Sequence, residues 1–184
     1  ALEKDILEKE NLGITRPTVY DYVDALTRLM ILEDQPAWNT HIRSSYALRK
    51  SPKRHFTDVS MAIAALGVDK ESLLNDLNFT GFLFESLVTH DLRVYAQASD
   101  AKVFHYCDSS GLEIDAIVQK YSGEWCAFEI KLGIGQIEEA AANLHKFVSN
   151  LDSKKITPPK SLNVITGTGI SYTRKDGINV ISLA

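Results

Sequence analysis

The chain has 184 residues, of which 45% are hydrophobic and 24% are charged, and its formal net charge at pH 7 is −4. This composition is typical of a folded globular protein with one domain or two small ones, and it excludes a chain dominated by disorder. No stretch approaches the roughly 20 apolar residues that cross a bilayer, and no basic-then-apolar signal segment opens the sequence. We therefore expect a cytoplasmic protein without a membrane partner. Cys107 and Cys126 lack metal-type spacing and predict buried thiols.

The first region has the helix-start and turn signals of a helix-turn-helix. Residues 2–10 predict a short helix, and the next residues contain Gly13, which favours a turn. Thr15 can cap free amides and Pro17 is tolerated in a first turn, so a second helix is predicted from this point to about Leu32. Residues 31–32 and 44–48 would then supply a β-wing, which completes a winged helix. A composition shift near Gly67 sets the predicted domain at residues 1–67.

A basic segment lies inside this region. Five cations fall between Asp34 and Asp58 with no acid among them: Arg43, Arg49, Lys50, Lys53 and Arg54. They are the predicted nucleic-acid-binding residues, because lysine and arginine neutralise backbone phosphates. A solvated basic hairpin is the alternative. Residues 68–184 carry 11 basic and 15 acidic side chains, so the net charge gives no general attraction to DNA or RNA.

The second region, residues 68–184, predicts a mixed α/β domain. A helix around Glu85 is expected to continue to about Gln97, because its apolar residues recur at helical spacing. The remaining predicted elements, in order, are strands at 103–107, 113–119 and 124–131, a helix at 135–150, and strands at 162–166 and 178–183.

Two of these strands carry the residues of a metal-dependent site. Asp115 lies on the first strand, and Glu129-Ile130-Lys131 lies on the next, where Glu129 and Lys131 share one face. Two nearby carboxylates repel unless a cation lies between them, and hard oxygen ligands suit Mg²⁺. Asp115 and Glu129 are therefore the predicted metal ligands and Lys131 is the predicted catalytic cation. The alternative is an exposed hairpin whose charges are only solvated.

This arrangement resembles the PD-(D/E)xK nuclease superfamily. In that superfamily an Asp on one core strand and E-x-K on the next form the active site, often with a Glu on the preceding helix. The resemblance assigns Glu85 as that residue, a further metal ligand, and places it with Asp115, Glu129 and Lys131 in the catalytic set. Ile114 stands where the family name has its Pro.

The order of motifs resembles one known arrangement more closely. The helix-turn-helix opening, residues 48–62, Gly81-Phe82-Leu83-Phe84-Glu85 and the two site strands look like the C-terminal half of prokaryotic AAA-type ATPases. In that family a P-loop ATPase precedes a winged helix and a nuclease-like domain of unknown function. The resemblance implies an α/β (mixed) fold in which an N-terminal winged helix is followed by a restriction-endonuclease-like α-β-β-β-α-β domain. It also implies the ATPase domain of the same protein as a partner.

No Gly-Lys dipeptide occurs, so the ATPase phosphate-loop motif G-x-x-x-x-G-K-[ST] is absent from this sequence, and we expect it to be a fragment of a longer protein. Two functions stay open. The first is a Mg²⁺-dependent phosphodiesterase acting on DNA or RNA. The second is a non-catalytic regulatory or oligomerisation module with a degenerate nuclease fold, whose partner is the ATPase or a second copy of the chain.

Overall fold

The computed structural model describes residues 15–38 and 51–184, and these residues form a mixed α/β structure, which confirms the predicted class. The predicted helix at 2–10 and the predicted strand at 44–48 lie outside the described residues. The helices are α1 (Arg16–Arg28), α2 (Val59–Leu66), α3 (Lys70–Asn75), α4 (Leu77–Ala98) and α5 (Ile137–Asn150), the last preceded by a 3₁₀ turn (Ile134–Gln136). The strands are β1 (Leu32–Gln35), β2 (Lys53–Phe56), β3 (Ala101–Cys107), β4 (Glu113–Lys120), β5 (Trp125–Lys131), β6 (Leu162–Thr166), β7 (Tyr172–Thr173) and β8 (Asn179–Ser182).

Helix α1 ends earlier than the sequence predicts. Pro17 lies in its first turn as expected, but the Thr15 hydroxyl pairs with the Thr18 hydroxyl at 3.0 Å instead of capping a backbone amide. The helix ends at Arg28, and Met30 then adopts a left-handed backbone conformation with φ of 57°. A left-handed residue cannot continue a right-handed helix, so the chain reverses there. Leu32 therefore begins a strand instead of ending the helix.

Strands β1 and β2 form a two-stranded antiparallel ribbon in which Gln35 pairs with Lys53. The chain then runs from β1 onto the edge of the large sheet. The Trp38 amide donates to the His105 carbonyl at 2.7 Å, and the His105 amide donates to the Pro36 carbonyl at 3.0 Å. Residues 36–38 thereby cover part of the free edge of β3.

Among the described residues, the large sheet has six strands in the order β3-β4-β5-β6-β8-β7. The first three strands are antiparallel, β5, β6 and β8 are parallel, and β7 is antiparallel to β8. Parallel neighbours need a crossover connection, and α5 supplies it between β5 and β6. The five strands predicted in this region are all present to within two residues at each end, whereas the two-residue β7 was not predicted.

Helices cover both faces of the sheet. On one face, α5 buries Ala140, Leu144 and Phe147 against Trp125 and other apolar residues of the sheet. On the other face, residues of α4 pack on a second apolar cluster that includes Ala116 and Ile130. The middle of each strand is shielded from water when both faces of a sheet are covered. Charged side chains on these strands therefore need specific partners.

Strand β4 contains an irregularity that the sequence did not predict. Ile117 pairs with Phe104 and Ile114 pairs with Tyr106, so β4 uses one more residue than β3 over this interval. Such a bulge breaks the alternation of side chains, and Ile114 packs in the same cluster as Ile117 rather than with Ala116. Asp115 lies within the bulge.

Helix caps mark the region of the predicted domain boundary. The Asp58 and Asp69 side chains accept amide hydrogen bonds at the starts of α2 and α3. Gly67 ends α2 with φ of 63°, a left-handed conformation that glycine adopts without strain. The division into residues 1–67 and 68–184 stays a prediction. None of the helices in the described ranges is long and apolar enough to cross a membrane.

Candidate functional site

The structure brings the four predicted catalytic residues together. Lys131 Nζ lies 2.6 Å from Glu129 Oε2 and 3.1 Å from Asp115 Oδ2. A second ammonium, that of Lys53, lies 2.5 Å from Glu85 Oε1 and 4.0 Å from Asp115 Oδ1 and so links Glu85 to this group. We call these five residues the carboxylate cluster. Elements from four parts of the chain supply them: β2, α4, β4 and β5.

Asp115 is positioned where β4 and β5 separate. The ladder between these strands ends at the pair Ala116 and Phe128, so Asp115 and Glu129 face each other without backbone pairing. The Asp115 carboxylate takes the place of a backbone acceptor, since its Oδ2 accepts from the Ile130 amide at 2.8 Å. Oδ2 also accepts from Lys131 Nζ, which leaves Oδ1 directed towards Lys53.

Glu129 is the most deeply buried acid of the cluster, at 1% exposure. Its Oε2 is paired with Lys131, but its Oε1 is buried and has no hydrogen-bond partner among the described residues. Burial raises the pKa of Glu129 to about 8, and the nearby Asp115 carboxylate adds to this effect. Glu129 therefore takes up a proton more readily than an exposed glutamate, and a divalent cation at this position would favour release of that proton.

Neighbouring carboxylates raise the pKa values of both lysines of the cluster. Burial by itself lowers the pKa of Lys131, but Asp115 and Glu129 outweigh burial, so that the pKa of Lys131 is raised. For Lys53, burial is likewise outweighed by Glu85, and its pKa is raised. Burial and then Asp115 raise the pKa of Glu85. Lys53 and Glu85 form a close ion pair.

The oxygen ligands of the cluster suit a hard divalent cation. Carboxylates that repel each other and a buried carboxylate oxygen without a donor are features that Mg²⁺ would relieve. Within residues 15–38 and 51–184, however, no three acidic, histidine or cysteine side chains are grouped closely enough to hold an ion. The ammoniums of Lys53 and Lys131 interact with these carboxylates instead. The ligand set Asp115, Glu129 and Glu85 stays a prediction.

A cavity of about 300 Å³ opens onto the cluster from the side of α5. Besides Asp115, Glu129 and Lys131, its walls include Asn143 and Lys146. Asn143 and Lys146 were not among the predicted site residues, although their spacing of three places them on one face of a helix. The feature that could have indicated them is the position of α5 directly after the E-x-K strand. A cavity of about 820 Å³ near the β4–β5 turn contains none of the cluster residues.

A buried polar network ties the ribbon to the site. Gln35 Nε2 donates to the backbone carbonyls of Phe104 and Asp115, so its Oε1 is the acceptor for His55 Nε2 at 2.9 Å. His55 Nδ1 must then accept from Ser86 Oγ at 3.1 Å. Gln35 and His55 are both buried. The buried role of Gln35 and His55 was not predictable from sequence, because both residues occur among other polar and basic residues.

This network predicts a pH dependence of stability. Burial, with a further contribution from the positive charge of Lys53, lowers the pKa of His55 to about 4. An unfolded chain has an ordinary histidine pKa near 6.5 and so binds more protons between pH 6.5 and 4. Neutral His55 therefore makes its full contribution to the free energy of unfolding above pH 6.5. This contribution is lost as the pH falls from 6.5 through 4, by about 3 kcal/mol at most. Urea unfolding at pH 7 and pH 4.5 measures this loss.

A matched pair of variants isolates the histidine. In His55→Gln the pH-dependent part of the loss should shrink, whereas His145→Gln, which changes a half-exposed histidine, should retain the wild-type difference. Equal pH dependence in His55→Gln and wild type would contradict this prediction.

The basic segment is only partly described. Arg43, Arg49 and Lys50 lie outside the described residues. Lys53 belongs to the carboxylate cluster, and Arg54 Nε lies 3.4 Å from Asp34 Oδ1. These two cations therefore already have acidic partners. Nucleic-acid binding by the segment stays a prediction.

Comparison with protein families places this site in a known domain. The model described as "Domain of unknown function (DUF4143)" matches residues 80–184, which is more than half of the chain. The chain belongs to the DUF4143 family. Domains of this family are found in AAA-ATPase-associated proteins, so that part of the predicted resemblance is confirmed. The match contains Glu85, Asp115, Glu129 and Lys131 but excludes Lys53. A second model, "Domain of unknown function (DUF8612)", matches residues 4–72 and includes Lys53.

Two further comparisons accompany the DUF4143 match. No curated protein matches the chain. A solved assembly of Thermococcus gammatolerans McrB AAA+ hexamers with bound McrC has a chain with 8% sequence identity and a TM-score of 0.36. The alignment covers 97% of the DUF4143 protein's chain and 65% of that chain. At this TM-score the likeness carries no argument about fold or function.

Proposed function

We propose that the DUF4143 region of this chain is a restriction-endonuclease-like domain that hydrolyses phosphodiester bonds of DNA or RNA with Mg²⁺. The observation that carries the proposal is the convergence of Glu85, Asp115, Glu129 and Lys131, which lie on a helix and two adjacent strands. Structural stability alone does not require a buried Glu beside a second carboxylate, because buried charges are costly unless they are paired. The element order α4-β3-β4-β5-α5-β6 agrees with the proposed α-β-β-β-α-β domain.

Each residue has a distinct role in this proposal. Asp115, Glu129 and Glu85 would hold the Mg²⁺ ion. When bound, the ion supplies a more acidic water and offsets negative charge on the phosphate. Lys131 donates hydrogen bonds to developing negative charge or orients the attacking water, and its raised pKa keeps it cationic at neutral pH. Asp115 also fixes the geometry, because it holds the Ile130 amide and the Lys131 ammonium on one oxygen.

Substrate would enter through the cavity of about 300 Å³ beside α5. Lys146 and Asn143 line this entrance, and we propose that they contact the phosphate backbone of the substrate. An ammonium and an amide are both suited to phosphate oxygens and read no base sequence. The acidic charge balance of residues 68–184 makes such local contacts necessary, since the net charge of the region repels nucleic acid.

Metal binding tests the site before any substrate is chosen. Calorimetric titration with Mn²⁺ should give saturable binding to the wild type and at least about ten-fold weaker binding to Asp115→Asn, because a charged ligand becomes a neutral one. Asparagine retains an oxygen that can accept from the Ile130 amide, so the β4–β5 geometry should survive. Asp152→Asn, which changes an exposed loop acid, is the control and should bind like wild type. Wild-type protein that takes up no Mn²⁺ would contradict the proposal.

A second candidate function is a non-catalytic module that couples an AAA-type ATPase to a partner or a second copy. The observation that favours it is the internal pairing of the cluster: Lys131 contacts Glu129 and Asp115, and Lys53 contacts Glu85. Charges that satisfy one another need no metal. The winged-helix assignment of residues 1–67 fits either function, since such modules bind DNA in many proteins and protein partners in others. Mn²⁺ uptake followed by cleavage of labelled DNA or RNA distinguishes the two.

A further inference from the structure

Lys53 reaches the carboxylate cluster from outside the DUF4143 match. It begins β2 and pairs with Gln35 of β1, whereas Glu85 and Asp115 lie within residues 80–184. Its ammonium lies 2.5 Å from Glu85 Oε1 and 4.0 Å from Asp115 Oδ1, and its side chain is 34% exposed. The ammonium is therefore directed inwards, at the two acids of the cluster that are less buried than Glu129.

The position of this ammonium overlaps with that of a metal ligated by Glu85. Mg²⁺ binds carboxylate oxygens at about 2.1 Å, and the Lys53 nitrogen is already 2.5 Å from one Glu85 oxygen. A divalent ion on Glu85 Oε1 would lie within a few ångströms of the ammonium. Like charges at such a separation repel strongly in a half-buried site, where water screens them poorly. The ammonium must therefore leave Glu85 Oε1 and Asp115 Oδ1 before an ion binds those oxygens, whereas Lys131 is paired with different oxygens, Glu129 Oε2 and Asp115 Oδ2.

We propose that Lys53 is a tethered counter-cation that competes with a divalent metal ion for Glu85 and Asp115, so that metal loading requires the Lys53 ammonium to withdraw. This inference rests on the proposed function. Lysine suits the role because its charge is carried on a flexible four-carbon stem. In the metal-free site Lys53 satisfies Glu85, and in the metal-bound site it is released to solvent or to a substrate phosphate.

Lys53 lies at the end of β2, where its backbone pairs with Gln35 of β1. His55, two residues along β2, is held by Ser86 and Gln35, whereas Lys53 is the first residue of the strand. A ligand that shifts the Lys53 end of the ribbon would change metal affinity, and by reciprocity metal loading would change affinity for that ligand. The region matched by residues 4–72 would thus regulate the site in residues 80–184.

The test is calorimetric titration of the full chain with Mn²⁺. Lys53→Met keeps the length and apolar stem of the side chain but removes its charge, and we expect a dissociation constant about ten-fold lower than that of wild type. Lys53→Arg retains the charge and should give no tightening. Lys70→Met removes an exposed lysine at the start of α3 and should bind like wild type. Circular dichroism verifies folding, and Lys53→Gln replaces the methionine variant if that variant is unfolded.

The outcomes separate this inference from the proposed function. Tighter Mn²⁺ binding in Lys53→Met alone supports competition, and the gain should vanish when Glu85→Gln is also present, because the contested ligand is then neutral. Equal or weaker binding in Lys53→Met overturns the role of Lys53 while leaving the metal site intact. Absence of Mn²⁺ binding from every variant overturns both proposals.

Discussion

Replacing Lys131 with Met is expected to reduce metal-dependent cleavage of nucleic acid about 1000-fold while leaving the protein folded. Lys131 is the cation nearest to both Asp115 and Glu129, at 3.1 and 2.6 Å. Loss of one charged group that stabilises a transition state typically costs two to three orders of magnitude in rate. The measurement is the initial rate of cleavage of fluorescently labelled single- and double-stranded oligonucleotides, DNA and RNA, in the presence of Mg²⁺ or Mn²⁺.

The fold should tolerate this change because Glu129 takes up a proton readily. The pKa of Glu129 is already about 8, and removal of the Lys131 ammonium would favour the neutral carboxyl further. Circular dichroism should therefore show the wild-type spectrum at pH 7. Lys154→Met, which changes an exposed loop lysine, is the matched control and should cleave at the wild-type rate. Cleavage by Lys131→Met at the wild-type rate would remove Lys131 from the catalytic set.

Replacing Phe147 with Ala is expected to lower the free energy of unfolding by about 4 kcal/mol. Phe147 on α5 is fully buried, and its ring centroid lies 4.7 Å from that of Tyr106 and 5.9 Å from those of Trp38 and Trp125. Alanine would leave a large cavity among rigid rings that cannot collapse to fill it. Urea unfolding followed by tryptophan fluorescence measures the effect, because both tryptophans of the chain touch this ring.

The control for this prediction is Phe82→Ala on α4. Phe82 is 68% exposed, so its truncation should change the unfolding free energy by less than about 0.5 kcal/mol. The same fluorescence signal applies to both variants. A loss below about 1 kcal/mol in Phe147→Ala would mean that the aromatic group formed by Trp38, Tyr106, Trp125 and Phe147 contributes little to stability.

Trp38 links this aromatic group to the ribbon of β1 and β2. Trp38 precedes the predicted domain boundary at residue 67, yet it packs on Trp125 and Phe147 in the core between the sheet and α5. Its indole donates to the Gln119 side chain at 3.1 Å. Loss of Phe147 should therefore loosen the attachment of residues 36–38 to the sheet, and with it the ribbon that carries Lys53.

Hydrophobic periodicity was sufficient to predict most elements of residues 68–184. Helix α5 was predicted from six apolar residues at helical spacing, of which Val148 is half-buried and the other five are buried: Ile137, Ala140, Ala141, Leu144 and Phe147. Strand β6 has the predicted bounds, Leu162–Thr166. These elements follow from local pattern because one face of each must leave water, and the spacing of apolar residues specifies that face. Short or strained elements did not follow in this way, as β7 and the early end of α1 illustrate.

Sequence by itself determined the mixed α/β class, the order of the large helices and strands, and the candidate site residues Asp115, Glu129 and Lys131. These features are encoded in spacing along the chain. Only the tertiary structure decided that a bulge turns Asp115 between two separating strands and that Lys53 enters the cluster from β2. The reason is physical: such contacts join residues far apart in sequence, and their energies depend on burial and on neighbouring charges, neither of which is written in a local pattern.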